Sequence, residues 1–142
     1  GRVFKKDNSI ADWSRFTEAQ CYNRMGMSHM ALAIFDEVSR MKNSEYADEA
    51  EIKIGFLYMR ENKWENAVKT FKYFLQRYPK NKKAPYAQYS IAWIYERLGD
   101  ADNASIEFKK VVDTYPRSTW ARRAKKEIGE FLGGVVEDAI DF

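Results

Sequence analysis

The chain has 142 residues, with 24 Lys and Arg against 21 Asp and Glu, and a formal net charge of +3. A single Cys and a single His exclude an internal disulfide framework, a Cys-rich zinc site and a His-based catalytic or metal constellation. A hydrophobic fraction of 45% excludes a wholly disordered chain, and the 15% aromatic content is rich for so polar a sequence.

Residues 1–8 read as a lead-in. From residue 9 onward, apolar residues recur at three- and four-residue steps, the helical period. The first helix pair covers about 9–44, with Ala11, Ala19 and Tyr22 before a break at Gly26, and Ala31, Phe35 and Val38 after it. A second break follows at Met41–Ser44. The next pair, 45–81, carries Ala47, Ala50, Ile54, Leu57 and Tyr58, then a break at Asn62, then Ala67, Phe71, Phe74, Leu75 and Tyr78. The third, 82–117, breaks at Gly99. A last helix, 118–132, runs to Gly133-Gly134, and 133–142 form a tail. Gly and Asn tolerate the left-handed conformation that ends a helix, and Pro79 and Pro116 forbid continuation. Ser44 and Ser118 are expected N-caps.

The pairs are copies of one another. A shift of 37 places Ala47, Ala50, Ile54, Tyr58, Arg60, Ala67, Phe71, Tyr78 and Pro79 on Ala84, Ala87, Ile91, Tyr95, Arg97, Ala104, Phe108, Tyr115 and Pro116. A shift of 36 places Ala11, Ala19, Tyr22, Arg24, Ala31, Phe35 and Val38 on Ala47, Gly55, Tyr58, Arg60, Ala67, Phe71 and Phe74. One such pair cannot bury its apolar faces alone, but stacked pairs can, which predicts an all-α solenoid of three repeats closed by a capping helix. Arg122, Arg123, Lys125 and Lys126 give that last helix a wet face.

Gly55, Tyr58, Ala67, Phe71 and Pro79, and again Ala92, Tyr95, Ala104, Phe108 and Pro116, resemble the tetratricopeptide repeat. The resemblance covers residues 9–132 and implies a right-handed helix-turn-helix solenoid. The first repeat has Glu18 where an apolar residue is expected, so its first helix is predicted to be less regular. Arg77-Tyr78-Pro79-Lys80-Asn81 and Thr114-Tyr115-Pro116-Arg117-Ser118 are similar to a bacterial rhythm found in the periplasmic coordinator of the Tol-Pal system and the outer-membrane lipoprotein of the barrel-assembly machinery. Cys21 lies mid-helix and cannot be a lipidated Cys. The chain begins without Met, which leaves room for an upstream signal or anchor.

Such a resemblance implies a partner peptide or helix held in the groove of first helices, on Trp13, Phe16, Arg24, Phe56, Met59, Arg60, Tyr86, Tyr89, Trp93, Arg97 and Arg123. Arg24, Arg60 and Arg97 form a ladder that suits carboxylates or carbonyls; helix capping explains the same arginines. Phe16, Ile52 and Tyr89 stand where a chaperone-tail clamp would have Lys, so that partner is disfavoured. A basic patch of Lys80, Lys82, Lys83, Arg122 and Lys126 suits anionic lipid or nucleic acid, or simply a solvated face. Cys21 is expected to be buried, and His29 to be packed or on the surface. No triad, phosphate loop or metal spacing occurs.

The resulting expectation is a non-catalytic protein-interaction scaffold without cofactor or small-molecule substrate, placed in the bacterial periplasm or on the periplasmic face of the outer membrane. Membrane association would come through an unseen anchor or partner, and self-association is open because acidic Glu137, Asp138 and Asp141 complement the basic stretch. The alternatives are a cytoplasmic regulatory adaptor, a repeat domain of a larger protein, or an electrostatic binder of lipid or nucleic acid.

Overall fold

A computed structural model describes residues 2–131. They form seven α-helices and, among the described residues, no strand: α1 (Arg2–Arg24), α2 (Ser28–Ser39), α3 (Ala47–Arg60), α4 (Trp64–Arg77), α5 (Ala84–Arg97), α6 (Ala101–Thr114) and α7 (Thr119–Phe131). The chain divides into two compact units, 1–70 and 71–142, with the division inside α4. In unit 1, α1 packs on α2 and α2 on α3; in unit 2, α5 packs on α6, α6 on α7, and α5 also touches α7. Consecutive packing of helix pairs is the solenoid manner of burying apolar faces.

The turn inside each pair is built three times over. Gly26, Asn62 and Gly99 adopt the left-handed backbone, with φ of 77°, 62° and 79°. Past each, the N–H of Met27, Lys63 and Asp100 donates to the carbonyl of Tyr22, Tyr58 and Tyr95, every time at 2.9 Å. The N–H of Gly26, Asn62 and Gly99 itself donates to Asn23, Met59 and Glu96. These are Schellman closures, which satisfy the last carbonyls of α1, α3 and α5.

The turn between pairs also repeats. Ser44, Asn81 and Ser118 donate their N–H to the carbonyls of Met41, Tyr78 and Tyr115. Their side chains accept in return from the backbone N–H of Tyr46, Lys83 and Ala121. Ser118 is a true N-cap of α7, whereas Ser44 sits before Tyr46, the residue that occupies the cap position of α3. Asn81 does by its amide what the two serines do by hydroxyl.

Inside, Ala31, Ala67 and Ala104 lie at the close approach of helices, and Phe35, Phe71 and Phe108 are fully buried one turn later. Each Phe contributes up to about 3 kcal/mol by leaving water. Ala50, Ala87 and Ala124 are equally enclosed.

The shift of 36 becomes 37 at one point, the end of α2. There Arg40 and Met41 donate to Glu37 and Val38, three residues back, whereas Tyr78 and Tyr115 donate to Phe74 and Val111, four residues back. The last turn of α2 therefore winds as a 3₁₀ turn and spends one residue fewer. No Pro follows; Asn43 reverses the chain with φ 68° instead.

Two expectations about the first helix change. The stretch 1–8, expected as a lead-in, is helical from Arg2, because nothing between Arg2 and Arg24 breaks a helix. Glu18 does not disturb α1 either: Arg15 neutralises it at 2.8 Å, one turn away on the same face, and Arg15 also reaches Glu37 on α2. The tail 133–142 lies outside the described residues.

Candidate partner-binding site

The first helix of each pair carries a stripe at steps of four, three and four residues, open except at buried Ser90: Trp13, Thr17, Gln20 and Arg24 on α1; Glu49, Lys53, Phe56 and Arg60 on α3; Tyr86, Ser90, Trp93 and Arg97 on α5. In unit 1, Trp13 and Phe56 are large apolar side chains left 55% and 40% exposed. Arg24 and Arg60 are exposed and Met59 is half-buried.

Arg60 is already engaged. Its guanidinium donates to Asn23 Oδ1 at 2.9 Å and to Ser28 Oγ at 3.2 Å, so the end of α3 is fastened to the α1–α2 turn. The Ser28 hydroxyl in turn donates to Glu61 and is the main reason that carboxyl sits below its usual range; Lys63, 3.5 Å away, helps. This part of the arginine ladder has a structural duty as well as an exposed surface.

In unit 2 the guanidinium of Arg97 lies 5.4 Å from the centre of the Trp93 ring, and that of Arg123 lies 5.0 Å from the Trp120 ring. Trp93 is half-buried, while Arg97 and Arg123 are exposed. Trp120 also receives the edge of Tyr86 at 5.2 Å and the ring of Tyr89 at 5.0 Å, which ties α5 to α7 through aromatic contacts. Burial pushes the Tyr86 hydroxyl up from its ordinary pKa.

Two predicted groove residues are packing residues instead. Phe16 is only 5% exposed, edge-on to Phe35 at 5.6 Å and stacked on Tyr46 at 5.1 Å. Tyr89 is wedged between Phe108, at 5.3 Å, and Trp120. Both occupy the same repeat position, as does Ile52, which is 4% exposed. A first helix must pack against its own second helix and against the following turn, so its buried arc is wider than one stripe. Tyr46 and Trp120 are equivalent positions too, so Phe16–Tyr46 and Tyr89–Trp120 are the same contact built in each unit. Trp120 was absent from the predicted site, although its signal was legible: an aromatic just past a pair-to-pair break wherever position 16 or 89 is aromatic.

Cys21 is exposed rather than buried, because it lies on the solvent side of α1. His29 is exposed. Lys80, Lys82, Arg122 and Lys126 are exposed and Lys83 is half-buried. Among the described residues no group of three or more His, Cys, Asp or Glu is placed to hold a metal, and no helix is long and apolar enough to cross a membrane.

Two segments of the chain, residues 49–81 and 86–118, match a protein-family model, that of the tetratricopeptide repeat. They lie beyond α1 and α2, yet that first pair carries the same turn and the same Ala–Phe frame. Among solved structures, the chain is similar to one described as the crystal structure of MamA, at 18% identity and a TM-score of 0.63, over 90% of this chain and 70% of that one. At that identity the likeness concerns the fold. No curated protein matches the sequence.

Proposed function

We propose that this chain is a non-catalytic scaffold whose first-helix face on unit 2 takes a carboxylate-bearing segment of another protein. Tetratricopeptide repeats mediate protein–protein interaction in general, and the two matched segments support that coarse reading. The observation that carries the finer one is the pair of stacked cations, Arg97 on Trp93 and Arg123 on Trp120, on two helices in mutual contact. A guanidinium resting on a ring is held in place before binding and recognises in-plane acceptors, above all carboxylates. Aromatic and arginine side chains are also those in which binding energy concentrates. Trp93→Ala combined with Arg97→Ala removes one such pair from the open stripe. Affinity capture from an extract of the source cell should lose its main retained protein, while circular dichroism shows unchanged helicity. Capture that survives the double substitution at full yield overturns the reading.

The Tyr-Pro rhythm after α4 and α6 supports placing this scaffold in bacterial envelope assembly, at the periplasm or the periplasmic face of the outer membrane. Fractionation of cells expressing the full-length gene tests that placement. Recovery in the periplasmic or outer-membrane fraction supports it, and recovery in the cytoplasm favours a regulatory adaptor.

A further inference from the structure

The loops that open α5 and α7 form one edge of unit 2. The Tyr115 hydroxyl donates to the Pro79 carbonyl at 2.8 Å and holds the two loops together. Lys80, Lys82 and Lys83 stand in the first loop and Arg117 in the second, with Arg77 and Arg122 one step away on α4 and α7. All are exposed except half-buried Lys83. Across residues 78–88 and 115–123 there is no Asp or Glu, and the stretch 66–95 holds none at all. The nearest acid before the second loop is Asp113, in the last turn of α6.

The fold does not require these bases. The matching turn of unit 1 keeps the same backbone bonds at Ser44 but carries Glu45, Asp48 and Glu49. The first turns of α5 and α7 hold no acid, whereas that of α3 holds two. Two helix N-termini, each with its partial positive charge, thus reinforce the loop cations instead of being neutralised.

We infer that this loop edge docks on an anionic phospholipid surface. The edge adjoins the face that takes a protein partner, since Arg122 lies beside Trp120 and Arg123, but Lys80, Lys82 and Arg117 belong to the edge alone. It offers six cations and, within its two loops, no exposed large apolar or aromatic anchor: Tyr78 and Tyr115 are half-buried and the Tyr115 hydroxyl is occupied, while the exposed Tyr73 lies outside the loops on α4, with the Arg77 guanidinium 5.2 Å from its ring. Protein hot spots and single-stranded nucleic acid both call for such anchors. A headgroup layer calls only for a compact cluster of Lys and Arg, each strengthening adsorption about fivefold.

The test is cosedimentation of the whole chain with vesicles of phosphatidylcholine alone and of phosphatidylcholine mixed with phosphatidylserine. Binding is expected only to the mixed vesicles, falling steeply as salt rises. Lys80→Glu, Lys82→Glu and Arg117→Glu together should weaken it by roughly a hundredfold or more, the loss of three cations at about fivefold each. A control with Arg24→Glu, Arg40→Glu and Lys69→Glu changes the net charge equally and should keep most of the binding. Circular dichroism verifies that both variants are folded. Absence of binding to the mixed vesicles overturns the inference. So does an equal loss in the control, which would reduce the effect to net charge. Tighter capture by duplex DNA or polyglutamate than by the mixed vesicles overturns it as well.

Discussion

Where a second helix gives way to the next first helix, unit 1 presents Glu45, Asp48 and Glu49, and unit 2 presents Lys80, Lys82 and Lys83 in one copy and Arg117, Arg122 and Arg123 in the other. Beneath that reversal the backbone is the same, with Ser44, Asn81 and Ser118 each donating three residues back and accepting just ahead. Over their whole lengths, residues 1–70 hold eleven bases and eleven acids, whereas residues 71–142 hold thirteen bases and ten acids. The frame is set by a capping side chain, a left-handed residue and a buried Ala–Phe pair. None of these needs a particular charge, so the surface is free to diverge between copies.

If the frame is shared, equivalent core truncations should hurt equally. Phe35→Ala and Phe108→Ala each leave a cavity at a fully buried site and should each cost about 3–5 kcal/mol in urea denaturation. A large difference between them would mean that the two units do not rest on the same frame.

Next in size is a buried polar pair of unit 2. Gln88 Nε2 donates to the buried carboxylate of Glu107 at 2.5 Å, and Lys110 reaches its other oxygen at 3.1 Å. Gln88→Ala leaves one oxygen without its donor and should cost about 1–3 kcal/mol by the same denaturation assay. Gln88→Glu should cost more, because two carboxylates would then share the site.

Smaller again are the turn glycines. A Cβ at Gly26 or Gly99 would meet nothing within 4 Å, so only the positive φ opposes it. Gly26→Ala and Gly99→Ala should each lower stability by about 1 kcal/mol, and a common value would show that the closures are interchangeable. Asn62 already holds that conformation with a side chain.

The smallest effect distinguishes the units by pH. Glu61 of unit 1 is held below its ordinary pKa of 4.5, first by the Ser28 hydrogen bond, while the matching residue of unit 2 is Leu98. A depressed carboxyl adds stability above the unfolded pKa and loses it as pH falls through the folded value. The acid-induced drop in melting temperature should therefore be slightly shallower in Glu61→Gln.

Much of this architecture was legible in the sequence because its strongest determinants are small and identical. Ala67 and Ala104, Phe71 and Phe108, and Tyr58 and Tyr95 coincide at one shift, and Gly26, Asn62 and Gly99 mark turns only a few residue types can make. The surface was less legible. Carrying a groove over by position put Tyr89 in solvent and left Phe16 between groove and core, since one helix read alone does not reveal how many neighbours press on it. Trp120 escaped although the pairing of aromatic positions hinted at it, because its partners on α5 lie about thirty residues away in sequence. The run of lysines before α5 was plain, but its union with Arg117 depends on a single tyrosine hydroxyl reaching a proline carbonyl 36 residues away.

The 3₁₀ turn at the end of α2 has an evolutionary consequence. Duplicated segments drift in length, and a lost residue inside a helix would rotate every later side chain by about a hundred degrees and turn the core outward. At Ser39-Arg40 the deletion is absorbed by tighter winding just after Val38, the last fully buried apolar residue of α2, and Met41 still packs against the same core. A gene encoding such an array can therefore gain or lose a codon at that joint and still lay down the following pair in phase.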